Sequence, residues 1–291
     1  MKIVKYFFEF ISIISLFCIF KIIGLRNASN VGSILGKCVG PLFRSKKIIK
    51  QNIKIGLGKI DEQKESEIIN DMWSNIGRTF AEYVFLKDFK FNKTNFDHMK
   101  INGVNYLEKI KKYNETVIFY SAHFANFELM AMELDKFGIK CAAIYRPLNN
   151  FFLNPLMEYL RMKYICPNQI KKGRMGMREV INRVKNGYSI ALMVDQRVSE
   201  APRTMFFNKP AHTTTIPAQL ALKYDCKLVP ISLKRKEGPN FEMTIHEPYK
   251  IKKIGNDEVN IKDITIKINQ TLEQMIIKNP SQWIWSHNRW K

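Results

Sequence analysis

An α/β fold is predicted for this chain: one domain whose sheet is covered on both faces by helices, with an apolar helix ahead of it. Three observations predict it. From residue 116 onward, short β-branched or aromatic runs alternate with stretches of helical periodicity. Residues 6–24 are almost wholly apolar and have basic flanks. The 291 residues, 46% hydrophobic and 25% charged, can bury a sizeable core; that excludes a disordered chain, and 14 Gly and 11 Pro are too few for a collagen-like or linker-dominated one.

The first element is YFFEFISIISLFCIFKIIG (6–24), with Lys2 and Lys5 before it and Arg26, Lys37, Arg44, Lys46 and Lys47 after. A span needs about 20 apolar residues. The uninterrupted run from Phe10 to Phe20 is shorter, and Glu9 and Lys21 stand where an interface would be. The segment is expected to be a membrane helix that either crosses the bilayer or dips into one leaflet. Gly24-Leu25-Arg26-Asn27 lacks the small-x-small pattern of a cleaved signal, and basic residues on both flanks leave orientation open. With no solenoid repeat or Gly/Ser-rich linker downstream, residues 1–24 are read as the anchor and 25–291 as a single domain.

The next elements follow from periodicity. After Asp61 an acidic first turn leads into Ile69, Met72, Trp73, Ile76, Phe80 and Val84 at helical spacing. TVIFY (116–120) reads as a strand, with a helix after Phe124; CAAIY (141–145) is a strand, followed by helices through Leu160 and over 174–186. YSIALMV (188–194) is a strand, 215–224 a helix, and KLVPISL (227–233) and FEMTIHE (241–247) are strands. Ile264, Ile268, Leu272, Met275 and Ile276 mark a closing helix that stops before Pro280.

The formal charge of +21 points to a polyanionic partner: nucleic acid, a membrane surface or an acidic protein. Nucleic acid is disfavoured, because basic residues are spread along the chain and Gly56-Leu57-Gly58 has no helix signature after it. Cys18, Cys38, Cys141, Cys166 and Cys226 form no CxxC pair and have no His at ligand spacing, so they are expected to be buried, reduced thiols, and no metal site is expected.

The sharpest chemical signal is SAHFANFE (121–128), set between a strand and a helix. His123 and Glu128 are five residues apart, a rotation of about 140° in a continuous helix, so they converge only if His123 lies in the turn before it. There a carboxylate could fix the imidazole tautomer and leave the other ring nitrogen to take a proton from a hydroxyl. His123 is therefore expected as general base and Glu128 as its orienting partner, the histidine–carboxylate half of a triad.

SAHFANFE resembles the HFGNWE block of the bacterial lipid A biosynthesis acyltransferases, the late lauroyl and myristoyl transferases, with Ala125 in place of the usual Gly and Phe127 of the usual Trp. Further similar blocks are YRPLNN (145–150), KKGR (171–174), MVDQR (193–197), the 205–231 run and NPSQWIWSHNRWK (279–291), so the resemblance covers nearly the whole chain. RVSEAPRT after the DQ pair departs from the Gly-rich sequence usual there. The resemblance implies a single acyltransferase domain with a central mixed sheet, similar to glycerolipid acyltransferases. It implies an acyl carrier protein thioester as donor and a bis-phosphorylated Kdo-lipid A precursor as acceptor, with no cofactor, at the cytoplasmic side of the inner membrane among phospholipid. The histidine–carboxylate element is shared with acyltransferases of other glycolipids and lysophospholipids, which stay open as alternatives.

On that reading Arg146, Arg161 and Arg174, with Lys171 and Lys172, are candidates for acceptor phosphates, since a guanidinium matches phosphate oxygens bidentately. Asp195 and Gln196 follow a strand, where α/β sites gather, and are candidates for substrate contact. Three of the four tryptophans, Trp283, Trp285 and Trp290, lie in the last nine residues with His287, Arg289 and Lys291. That tail suits either a headgroup region or packing onto the domain.

Overall fold

The computed structural model describes residues 2–91 and 98–291. The predicted apolar helix is α1 (Lys2–Ile23), whose most apolar 18-residue stretch has a mean hydropathy of 2.1, long and apolar enough to cross a membrane. A single residue, Gly24, separates it from α2 (Leu25–Phe43), and α3 (Lys46–Leu57) and α4 (Glu62–Glu82) follow. The Asp61 carboxylate caps α4 by accepting from the Lys64 amide at 2.7 Å, as the acidic start implied. α2 and α4 approach backbone to backbone along a glycine stripe. A Cβ on Gly77 would lie 2.0 Å from the Gly32 carbonyl oxygen, and one on Gly36 would lie 2.2 Å from that of Trp73.

A 3-10 turn (Tyr83–Phe85) and α5 (Leu86–Phe91) lead to β1 (Met99–Asn102), α6 (Val104–Lys112) and β2 (Val117–Ser121). Next come α7 (Glu128–Lys136), β3 (Cys141–Tyr145), α8 (Asn154–Leu160), a π-helical turn (Arg161–Ile165), β4 (Gln169–Lys171), α9 (Arg174–Lys185) and β5 (Ser189–Met193). The chain ends through a β6–β7 hairpin (Arg203–Phe206, Lys209–His212), α10 (Ile216–Tyr224), β8 (Lys227–Arg235), β9 (Phe241–Ile245), α11 (Asp257–Lys278) and a tail.

Among the described residues, seven strands form one mixed sheet in the order β1-β9-β8-β2-β5-β3-β4; β8 and β9 run antiparallel and the other neighbours parallel. The α/β prediction therefore holds. β2 and β5 are wholly or nearly wholly buried, which explains why they read as continuous apolar runs rather than as alternating ones. They are also adjacent at the centre of the sheet, so the loops after them meet, although 72 residues separate His123 from Asp195. Register aligns Phe119, Ala191, Ala143 and Gln169 in one row across β2, β5, β3 and β4.

One expectation needs correction, and one open alternative is decided. All five cysteines are free, but only Cys141, Cys166 and Cys226 are buried; Cys18 and Cys38 are exposed, because they lie on the outer faces of α1 and α2. The tail is core rather than a headgroup surface. Trp283 and Trp285 are buried, the Arg289 guanidinium donates to the His212 carbonyl and Thr213 hydroxyl, and Asn52 of α3 donates to the Trp285 and His287 carbonyls.

Candidate active site

The turn between β2 and α7 carries the central residue. Residues 122–127 are not helical, and Ala125 adopts a left-handed φ of 47°, the conformation glycine takes most easily. The Ala125 carbonyl accepts from Asn75 at 3.2 Å and Thr79 at 3.0 Å, and its amide donates to the Gln282 carbonyl at 3.1 Å. Beside it, the Asn126 amide nitrogen donates to buried Glu82 at 3.0 Å; Glu82 also accepts from Arg235 and Ser29. The turn is thus held by α4 on one side and the tail on the other, and His123 lies in it, ahead of the helix, as predicted.

The partner of His123 is Asp195. Its ring Nδ1 lies 2.7 Å from Asp195 Oδ1, and its backbone N–H donates to Oδ2 at 3.1 Å. The Trp283 indole N–H also donates to Oδ2, at 2.8 Å. Asp195 is buried, which alone would raise its pKa; the His123 charge, the bonds from the His123 ring and amide and the Trp283 indole outweigh burial and hold it at about 2. An acceptor this strong keeps the imidazole proton on Nδ1 and leaves the Nε2 lone pair free. Gln196 Nε2 lies 3.4 Å from that nitrogen, and the Phe127 ring stands edge-on to the imidazole at 4.5 Å.

Glu128 is not the orienting partner. It opens α7, and Oε1 accepts from the Tyr83 hydroxyl at 2.9 Å, from Arg161 Nε at 3.1 Å and from Arg161 Nη2. The Arg161 guanidinium sits between the rings of Tyr83 and Tyr145, 5.9 and 5.5 Å from their centroids. Burial opposes its charge, but Glu128 and Tyr83 more than offset this and raise its pKa. Arg161 Nη1 is buried and has no hydrogen-bond partner. The local carboxylate is committed to an arginine, and the histidine takes its carboxylate from the loop after β5.

His123, Phe127, Glu128, Arg161 and Gln196 line one cavity of about 290 Å³. Its polar lining includes His123, Glu128, Arg146, Arg161, Lys172 and Gln196, and its apolar lining includes Met130, Ala131, Ala143, Ile165, Ala191 and Leu192. The registered pair Ala143 and Ala191 explains the space, since neighbouring strand positions carry larger side chains such as Phe119. Arg146 is exposed at the rim and donates to Asn149 at 3.4 Å. Arg174 is exposed at the start of α9 and does not line the cavity, and Lys171 pairs with Glu158 at 3.0 Å. A larger open groove of about 990 Å³ crosses β4 and α9, but it contains no histidine and so no general base of this kind. Among the described residues, no group of three or more His, Cys, Asp and Glu side chains converges on a metal-sized point.

Sequence reasoning missed the roles of Asp195 as the histidine's partner, Trp283 as that partner's donor and Tyr83 as the ligand of Glu128. The pairing of β2 with β5 brings the first together, and no local spacing encodes it.

The family model for bacterial lipid A biosynthesis acyltransferases matches residues 1–291. A lipid A biosynthesis acyltransferase of Haemophilus influenzae is 24% identical over 255 residues, 84% of this chain and 76% of the relative. The lipid A biosynthesis lauroyltransferase of Escherichia coli is 22% identical over 256 residues, 85% of this chain and 79% of the relative. The palmitoleoyltransferase of the same organism is 22% identical over 271 residues, 90% and 84% respectively.

Proposed function

The chain belongs to the bacterial lipid A biosynthesis acyltransferase family, and on that premise we propose that it moves a fatty acyl group from an acyl carrier protein thioester to a hydroxyl on an acyl chain of a Kdo-lipid A precursor. The observation that carries this reading is the 2.7 Å contact with buried Asp195 made by His123, which lines a cavity shared with Ala131, Ala143 and Ala191. The acyl chain lies along the apolar lining, with its thioester carbonyl near His123.

The acceptor hydroxyl gives its proton to His123 Nε2 as its oxygen attacks the thioester carbonyl carbon. Asp195 stabilises the imidazolium so formed. The tetrahedral intermediate collapses, the carbon–sulfur bond breaks, and the imidazolium returns the proton to the departing sulfur. No cofactor enters, because the thioester is already activated.

Glu128 serves the reaction by holding Arg161 on the cavity wall rather than by orienting His123. The free Nη1 of Arg161 suits a substrate oxygen, either acceptor phosphate or the oxyanion of the intermediate. Arg146 and Lys172 at the cavity suit phosphate, as does Arg174 from outside it, and Gln196 suits a hydroxyl near Nε2. The net charge of +21 favours an acidic carrier protein and anionic phospholipid. Residues 1–24 act as the membrane-anchoring part and 25–291 as the acyltransferase domain, on the cytoplasmic face of the inner membrane, where a soluble donor meets a lipid acceptor.

The test is mass spectrometry of a tetra-acylated lipid A precursor incubated with the protein and a panel of acyl carrier protein thioesters. The expected product gains one acyl chain, and His123→Ala lowers turnover by about 10² to 10⁴ while the protein stays folded. Full activity in folded His123→Ala would overturn the assignment.

A further inference from the structure

We propose that α1 and α2 together form a monotopic membrane face: both enter one leaflet from the side of the catalytic domain, and α1 does not cross the bilayer. The first observation is that α1 is tied to the domain at both ends. Near its start, Asn150 Nδ2 donates to the Tyr6 carbonyl at 2.9 Å and to Glu9 at 3.2 Å, and the Phe7 ring packs on Phe152 at 5.6 Å. Near its end, Phe17 packs on Phe80 at 5.1 Å and Lys21 pairs with Asp88 at 2.9 Å. Tyr6 and Lys21 are separated by about 22 Å of helix, most of the roughly 30 Å hydrocarbon thickness. If α1 stood upright across a bilayer, it would draw Asn150, Asp88 and the backbone around them into hydrocarbon, where polar groups are costly. If it lies in the plane of the interface, one face stays against the domain and the other against lipid.

The outer face of α1 fits that position. Val4, Phe8, Ile11, Ser15, Ile19 and Ile22 follow one another at three- and four-residue steps and are exposed. α2 continues it. With its glycine stripe locked onto α4, its opposite face presents Val31, Ile34, Cys38 and Leu42, again at helical spacing, and ends in Phe43. Exposure reaches 84% at Ile22, 81% at Leu42 and 76% at Phe43. An apolar helix face of this kind needs a cover.

Charge selects that cover. Exposed Lys37, Arg44, Lys46 and Lys47 border the α2 face, the pattern of an interfacial helix on anionic lipid. The face also adjoins the cavity. Asn150 and Phe151, which touch α1, lie on the loop that carries Arg146 to the cavity rim, so a lipid acceptor in the same leaflet reaches His123 without leaving it. The proposal relies on the functional reading only in taking the acceptor to be a membrane lipid. Its test reads position, not turnover, so either can fail without the other.

The two exposed native thiols lie on the two faces, which supplies the test. In full-length protein, an environment-sensitive fluorophore is placed on Cys38 in Cys18→Ser, and on Cys18 in Cys38→Ser; the buried cysteines stay unlabelled. Protein is added to vesicles of phosphatidylethanolamine and phosphatidylglycerol. Both labels are expected to shift to the blue and to lose intensity when spin-labelled lipid is present. In Cys18→Ser/Cys38→Ser/Lys2→Cys, a membrane-impermeant maleimide added outside is expected to react equally before and after detergent. A Lys2→Cys thiol that reacts only after detergent would mean that α1 crosses, and would overturn the proposal. So would a Cys38 label that stays in water while the Cys18 label enters lipid, or one shielded without vesicles in a concentration-dependent dimer.

Discussion

Replacing Asp195 with Asn tests which carboxylate serves the histidine. Asp195 accepts three hydrogen bonds: its Oδ1 from the His123 ring, and its Oδ2 from the His123 amide and the Trp283 indole. Asn has one carbonyl oxygen and one NH₂ group to place in those positions. With its oxygen at the Oδ2 position, two donors stay satisfied and the NH₂ faces the His123 Nδ1. With the reverse orientation, two buried donors face an NH₂, at about 1–3 kcal/mol each. The first orientation wins, and it requires His123 to carry its proton on Nε2, where it can no longer accept one from a hydroxyl. Turnover should fall by about 10² to 10⁴, with the Michaelis constants for donor and acceptor little changed. The assay is steady-state product formation by mass spectrometry, alongside near-ultraviolet circular dichroism to confirm that the tail still packs. Glu128→Gln is the comparison and should act chiefly through Arg161, on binding of substrate. Near-wild-type turnover in Asp195→Asn, together with collapse in Glu128→Gln at unchanged Michaelis constants, would restore Glu128 as the orienting group and refute the reasoning.

Ala125→Gly relieves a left-handed residue and should stabilise the fold by up to about 1 kcal/mol in a urea titration, the relief of Cβ crowding being partly offset by added chain entropy. Ala143→Leu adds bulk to the apolar lining of the cavity, so in donor-competition assays the preferred acyl chain should shorten while short-chain turnover survives; an unchanged preference would place the chain elsewhere. Arg146→Gln should raise the apparent Michaelis constant for a bis-phosphorylated acceptor more than it lowers turnover, whereas Arg174→Gln, outside the cavity, should have the smaller effect. The folded-state pKa of Asp195, held at about 2 by the His123 charge and the donors around it, lies below its unfolded value; the stability this gives is therefore lost as pH falls from the unfolded value of about 4 through about pH 2. Denaturant titrations across that range should show a steeper loss in wild type than in Asp195→Asn.

Much of the central sheet was legible in the sequence, because β2, β3, β5 and β8 are buried strands whose apolar runs stand between helical patterns. Other elements were silent for physical reasons. β4 has three residues, too few for a period to show, and β6 and β7 pair through a hairpin around Phe207 and Asn208, both at positive φ without a glycine to signal the turn. α2 escaped notice because the residues that pack it are glycines, which carry no hydrophobic signal although they permit its contact with α4. In the site, the strand-to-turn position of His123 followed from local pattern. The identity of its partner did not, because a carboxylate five residues away and one 72 residues away are equally good acceptors until the strand order decides between them.

The two carboxylates near His123 differ in what surrounds them, and that difference assigns their tasks. Glu128 begins a helix beside α4 and the π-helical turn, where the Tyr83 hydroxyl and the Arg161 guanidinium reach it. An ion pair with arginine uses the lone pairs that would otherwise receive an imidazole N–H. Asp195 opens the loop after β5 in a pocket closed by the tail; its hydrogen-bond donors there are the indole N–H of Trp283 and two N–H groups of His123, and the nearest permanent charge that feels it, Arg289, donates to the His212 carbonyl and the Thr213 hydroxyl instead. A buried carboxylate so placed gains most when His123 takes up a proton, so its stabilisation grows as the hydroxyl is deprotonated rather than before. Had Arg161 reached Asp195 instead, its permanent charge would have neutralised that carboxylate in every state and weakened its preference for the protonated histidine. The chain places the arginine on Glu128 and keeps Asp195 for His123, and the buried tryptophan tail is what holds that second carboxylate in position.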